Sequence, residues 1–134
     1  MSFRLYDELH EPIVIVRPDL TPVYFNFQAK SLFQLSDRFL RKVKQVTDVA
    51  EFESHDLPAQ ISSTLSQGTA IRSPEIRVLS KRHPSKVLYF IIKTAPITYE
   101  GERLVLLCFR DFSQERQLQD KYNSQVDKIK THEM

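Results

Sequence analysis

The chain has 134 residues, 41% of them hydrophobic and 27% charged, with a formal net charge of +2. That length suits one domain able to bury roughly two thirds of its unfolded surface, and the near-balanced charge argues against a strongly charged partner such as nucleic acid. The longest apolar runs, VLYFII and LVLLCF, fall far short of the ~20 residues that a membrane helix needs, and the single cysteine excludes an intramolecular disulfide, in keeping with a reducing compartment.

The opening segment, MSFRLYDELHEP, is acidic where a signal peptide needs an apolar core, so Met1 reads as a native cytoplasmic start. Phe3, Leu5, Tyr6 and Leu9 fit one short helical face that Pro12 ends, which predicts an N-terminal cap helix over residues 1–10 ahead of a domain spanning 11–112. PIVIVR and PVYF are β-branched or aromatic runs joined by Pro18-Asp19-Leu20-Thr21, a turn sequence, and make a first hairpin. Asn26 caps the next helix, on which Phe27, Ala29, Leu32, Phe33 and Leu35 form an apolar stripe. Ser36 or Asp37 caps a second helical segment with Leu40, Val43 and Val46 on its buried side, and residues 49–55 carry no decisive pattern. After Pro58, Ile61 and Leu65 suit a further helix, closed by Gly68, the residue best able to take a positive φ.

Three more strands follow, EIRVL, VLYFIIKT and RLVLLCF, with short polar connectors that make them consecutive hairpins. The expected fold class is α+β: a five-stranded antiparallel sheet with helices on one face, an N-terminal cap helix and a C-terminal helix. Side chains alternate along a strand, so Lys93 marks its own face of VLYFIIKT, with Tyr89 and Ile91, as the outer one. Leu88, Phe90 and Ile92 then point inward, as do Ile76 and Val78, with Glu75 and Arg77 outside. The outer face still carries Tyr89, Ile91 and half of LVLLCF, and a sheet with one wet face should alternate more cleanly. Both faces are therefore expected to be covered, the outer one by the segment with Tyr6 and Leu9, by a second copy of the chain, or by both; a symmetric homodimer is the expected assembly.

At Asp111-Phe112-Ser113 the last strand passes into helix without a loop. The Asp111 and Ser113 oxygens suit a helix's first free amides. Leu118, Tyr122, Val126 and Ile129 continue as one stripe over residues 113–134, with polar Gln125 and His132 on the stricter heptad seam. A short coiled coil and a helix folded back on its own sheet both remain open. Neither Gly nor Pro occurs after Gly101, so the helix is expected to run past Met134 into an effector domain beyond this chain.

LHEPIVIVRPDLTPVYFNFQAKSLF resembles the opening of a PAS domain, and KTAPITYEGERLVLLCFRDFSQERQ is similar to its closing hairpin and Asp-hydrophobic-Thr junction, here Asp111-Phe112-Ser113. The resemblance runs from about Leu5 to Gln117, and residues 37–52 carry no family signature. It implies a cytoplasmic sensory module that homodimerises and passes a signal through its C-terminal helix to an effector in the same chain, such as a two-component histidine kinase, a diguanylate cyclase or a transcription activator. The alternative is a ligand-free protein–protein interaction scaffold. The sequence has no P-loop, GxSxG, HExxH or paired-cysteine pattern, so the chain itself is not expected to be an enzyme.

Phe25, Phe33, Phe90 and Ile92, with Phe109, either line a pocket or simply form core. The resemblance also places His55 near the helix start where haem-binding relatives keep an axial histidine, with Asp56 available to orient the ring; an ordinary surface cap is the other reading. The cofactor is thus left unknown: none, a haem or a small molecule. Glu53, His55 and Asp56 lack a second ligand cluster, so no metal site is expected. Cys108, on an apolar strand, reads as an inert buried thiol and is misplaced for a flavin adduct. Two basic runs, Arg38, Arg41, Lys42 and Lys44, then Lys81, Arg82, His83 and Lys86, read as solvated surface, with neither nucleic acid nor membrane as partner.

Overall fold

The computed structural model describes residues 3–81, 87–111, 118–119 and 121–123, and of Arg4 and Leu5 the backbone alone. A 3-10 turn over Phe3–Glu8 leads into β1 (Ile13–Val16) and β2 (Pro22–Phe25), then two short helices, α1 (Phe27–Leu32) and α2 (Asp37–Leu40). β3 (Ala50–Phe52), α3 (Leu57–Gln67), β4 (Ile71–Arg72), β5 (Ile76–Ser80), β6 (Val87–Tyr99) and β7 (Glu102–Asp111) follow. They build one antiparallel sheet in the order β2-β1-β7-β6-β5-β3, with β4 also paired to β6.

All five strands expected from the sequence are present, and two short ones join them. β3 comes from the undecided stretch and pairs with β5. β4 continues the path of β5 along β6 across a break at Ser73-Pro74, where the registers Ile71↔Thr94 and Ile76↔Phe90 fall out of step by one residue. Proline ends regular pairing because it has no N–H to donate. The Ser73 side chain repairs the ladder: its Oγ accepts from the Ile92 amide at 2.9 Å, while the Ser73 amide donates to the Ile92 carbonyl at 2.9 Å.

The inner face of the sheet, Val14, Val16, Ile76, Val78, Leu88, Phe90, Ile92, Val105, Leu107 and Phe109, packs against Ala29, Phe33, Leu57 and Ile61 of the helical side. The predicted alternation of β5 and β6 holds throughout. α3 has the expected ends, with Asp56 Oδ1 accepting from the Ala59 amide at 3.0 Å and Gly68 closing it at φ 68°. The expected N-terminal cap helix is a 3-10 helix over Phe3–Glu8, and Leu9 just beyond it is 46% exposed. One sequence reading needs correction. Phe27, grouped with the apolar stripe of α1, is 65% exposed: as the first residue after the cap it points away from the face that Ala29 and Phe33 bury.

Candidate functional site

The outer face of the sheet divides into two halves. Over the first, Ile13, Ile15 and Leu104 are buried beneath Phe3, Tyr6, Tyr24, Ile97 and Tyr99. Phe3 is the centre of this cover, with ring centroids 4.5 Å from Tyr99, 5.7 Å from Tyr24 and 6.3 Å from Tyr6. The N-terminal turn is fastened by two side chains. Asn26 Oδ1 accepts from the Ile13 and Ala29 amides at 2.8 and 2.9 Å, and its Nδ2 donates to the Tyr6 and Glu11 carbonyls, both at 2.9 Å. A buried amide is costly unless satisfied, and all four of its bonds are made. Asp7 adds the second anchor, accepting from the Tyr24 hydroxyl at 2.6 Å and the Phe27 amide at 2.8 Å. Of the four residues predicted for the outer face, Tyr6 lies in this cover, Tyr89 and Ile91 are half-buried on the other half, and Leu9 is exposed.

On the inner face, the predicted pocket residues are core. Phe25, Phe33, Phe90 and Ile92 are all buried, and Phe33, Phe90 and Phe109 meet one another at 5.5 to 6.2 Å in tilted and edge-on contacts. These rings occupy the space between helices and sheet, so a haem would have to displace them. His55 is half-buried and its Nε2 is engaged with Gln60 Oε1 at 2.6 Å. The residues as packed do not fit a haem.

His55 instead opens onto a polar cluster that the sequence reading missed. Gln60 Nε2 donates to the Ile92 carbonyl at 3.0 Å and to Thr94 Oγ1 at 3.2 Å, the Thr64 hydroxyl donates to the Gln60 carbonyl at 2.9 Å, and Thr64 and Thr94 Oγ1 are 2.6 Å apart. All three residues are buried. The signal was available: Leu57, Gln60, Ile61 and Thr64 share one helical face, so two polar residues stand at core positions of α3, and Thr94 extends the inward series Leu88, Phe90, Ile92. Two surface grooves meet at His55. One, of about 480 Å³, runs between α3 and β4 past Gln60, Ser63 and Arg72; the other, of about 420 Å³, runs past Phe52, Pro58 and Lys81.

Asp111 is exposed and ends β7 opposite Phe90. Phe112 and Ser113 of the predicted junction lie outside the described residues, as do Val126 and Ile129 of the stripe. Leu118 and Tyr122 are helical, 66% and 65% exposed. Cys108 is half-buried; burial first, and then the Glu11 carboxylate that accepts its proton at 2.7 Å, push the thiol up to about 12. Arg38, Arg41, Lys42 and Lys44 are all exposed, as is Lys81, while Arg82, His83 and Lys86 are outside the described residues. Among the described residues, no group of three His, Cys, Asp or Glu side chains is placed to hold a metal ion.

Neither a protein-family model nor a curated protein matches the chain. Among solved structures it is similar to the PAS domain of nitrogen regulation protein NR(II) from Vibrio parahaemolyticus, at 21% identity and TM-score 0.65 over 84% of this chain and 100% of that one. The PAS domain of an HTR-like protein from Haloarcula marismortui aligns at 14% identity and TM-score 0.61, covering 81% and 86% of the two chains. A PAS domain from a two-component sensor histidine kinase aligns at 12% and 0.59, covering 80% and 89%.

Proposed function

From the PAS fold that this chain has, we propose that it is a cytoplasmic sensory module that dimerises and relays a signal, through the segment after β7, to an effector in the same chain such as a histidine kinase. The observation that carries this reading is the place of β7. It is hydrogen-bonded on both sides, to β1 and β6. It enters the inner core through Val105, Leu107 and Phe109 and the outer cluster through Leu104, Leu106 and Cys108. A shift of packing on either face therefore bears on the strand that leads out at Asp111. In this reading Asp111, Phe112 and Ser113 form the relay joint, and Leu118, Tyr122, Val126 and Ile129 the stripe that pairs across the dimer. Each such side chain buried contributes roughly 1.5 to 3 kcal/mol.

Sedimentation equilibrium tests it. The chain is expected to be dimeric, and Leu118→Asp or Tyr122→Asp to weaken the dimer at least about tenfold, the equivalent of about 1.4 kcal/mol. A chain that stays monomeric at about 1 mM removes the two-subunit relay. A second reading, a scaffold that binds no ligand, is favoured by one observation, the mutual packing of Phe33, Phe90 and Phe109 in the interior. Native mass spectrometry separates the two, since a retained small molecule favours sensing and an empty chain the scaffold. Neither reading makes the chain an enzyme.

A further inference from the structure

The outer half of the sheet that the N-terminal turn leaves open holds a feature that dimerisation does not explain. It is a basin of about 390 Å³, lined by Ile91 and Cys108, by Glu11, and by three cations, Arg72, Lys93 and Arg110. The strand register gathers them. Arg72 lies opposite Lys93, Lys93 opposite Cys108, and Arg110 opposite Ile91, two residues along the same face of β6. Directly opposed side chains have Cβ atoms about 5 Å apart, and like charges so placed repel. No ion pair among the described residues engages these cations: the ion pairs there join Arg17 to Glu102 and Arg77 to Glu53, and neither involves a residue of the basin. Glu11, the one carboxylate in the lining, accepts the Cys108 thiol proton rather than a cation.

We propose that this basin binds a small organic anion, a carboxylate or phosphate monoester carried on a compact apolar body. The anionic group sits among Arg72, Lys93 and Arg110, and the apolar part lies against Ile91 and Cys108. The basin's size is that of small-molecule sites, about 300 to 1,000 Å³, with apolar lining and a few convergent polar groups. Arginine matches such anions because its planar guanidinium offers two parallel donors to a carboxylate or phosphate. Glu11 tunes the site, since a second negative charge at the lining opposes the ligand. The site does not require the dimer: a monomeric chain can bind the anion, and a dimeric one can lack it.

The test is a nitrogen-15 NMR titration of the full chain with phenyl phosphate, and with phenol as the uncharged control. Saturable shifts are expected at the Ile91, Lys93, Cys108 and Arg110 amides, with a Kd of about 1 mM, and phenol should produce none there. Lys93→Gln and Arg110→Gln should each weaken binding about fivefold, while Glu11→Gln should strengthen it by a similar factor. Arg38→Gln removes the same charge from exposed α2 and should leave the Kd unchanged. Absence of saturation at about 10 mM by both phenyl phosphate and benzoate overturns the site, and so does an Arg38→Gln variant that binds as weakly as Lys93→Gln. If benzoate saturates the same amides and phenyl phosphate does not, the ligand class is carboxylate alone.

Discussion

Replacing Thr94 by valine tests the polar cluster beneath α3. The Thr64 hydroxyl donates to the Gln60 carbonyl at 2.9 Å, whereas the other acceptor within reach of the Thr94 hydroxyl, the Ile71 carbonyl, is 3.4 Å away, so the 2.6 Å contact between the two threonines is best served by the Thr94 proton. Valine fills nearly the same volume, so the loss is of hydrogen bonds without a cavity: the one to Thr64 and the 3.2 Å bond that Thr94 accepts from Gln60. At a net 0.5 to 1.5 kcal/mol each, Thr94→Val should cost about 1 to 3 kcal/mol. Thr64→Val loses the same shared bond and the one to the Gln60 carbonyl, and should cost a similar amount. The double variant loses the shared bond only once, so its penalty should fall short of the sum by about 1 kcal/mol. Urea unfolding followed by circular dichroism supplies the free energies, provided the slopes agree across the four proteins. Additivity to within about 0.3 kcal/mol, or a Thr94→Val chain as stable as the native one, would refute the bonding pattern.

Asn26→Ala removes four bonds at once and leaves the buried Ile13 and Ala29 amides and the Glu11 carbonyl without this partner, while the Tyr6 carbonyl keeps only the 3.3 Å bond from the Leu9 amide; a loss of about 3 kcal/mol or more is expected in the same assay, with faster proteolysis of the N-terminal turn. Gly68→Ala meets no atom within 4 Å, so its whole cost should be the left-handed backbone at φ 68°, about 1 to 2 kcal/mol. Cys108 carries a pH prediction. Its folded value of about 12 lies above that of an unfolded thiol, so the folded chain holds the proton more tightly. The contribution to stability is fully present below about pH 8.5 and is lost as the pH rises toward 12. Cys108→Ala should flatten that alkaline decline, and alkylation by iodoacetamide at about pH 8 should be at least about a hundredfold slower in the folded chain than in urea.

The strands were legible because their signals are local. Alternation of period two placed Leu88, Phe90 and Ile92 inward and Tyr89, Ile91 and Lys93 outward, and the structure keeps that division. Helix ends were legible for the same reason: Asn26, Asp56 and Gly68 act on amides and carbonyls within four residues of themselves. What local pattern could not give was pairing at a distance. β3 is three residues long and exists because β5 lies beside it, and β4 is held to β6 across a proline break by the Ser73 hydroxyl. Phe27 shows the opposite failure, where hydrophobicity without regard to direction grouped an exposed ring with the apolar stripe of α1. The polar cluster was within reach of the periodicity argument, had Gln60 and Thr64 been weighed for standing where apolar residues were expected.

The cationic basin was hidden for a related reason. Arg72, Lys93 and Arg110 are scattered through the sequence, each unremarkable on a strand that alternates charge with apolar residues. Antiparallel pairing converts that scatter into a cluster, because β4 and β7 flank β6 and their registers bring the three onto one face. The same pairing explains why the outer face needs two kinds of cover. Around β1 and the far end of β6, apolar residues such as Ile15 and Ile97 call for aromatic rings, which Phe3 and Tyr6 provide from the chain itself. Around Ile91 the surface is rimmed by cations, so an apolar element alone would bury unpaired charge at a cost of several kcal/mol per ion. Whatever covers that half must therefore bring negative charge, and a second copy of the chain docking there should associate more tightly when phenyl phosphate is present. Sedimentation equilibrium with and without the ligand checks this. A dimer that forms through Tyr89 and Ile91, and is equally tight in both conditions, would show that the two halves of the outer face are covered by apolar contact alone.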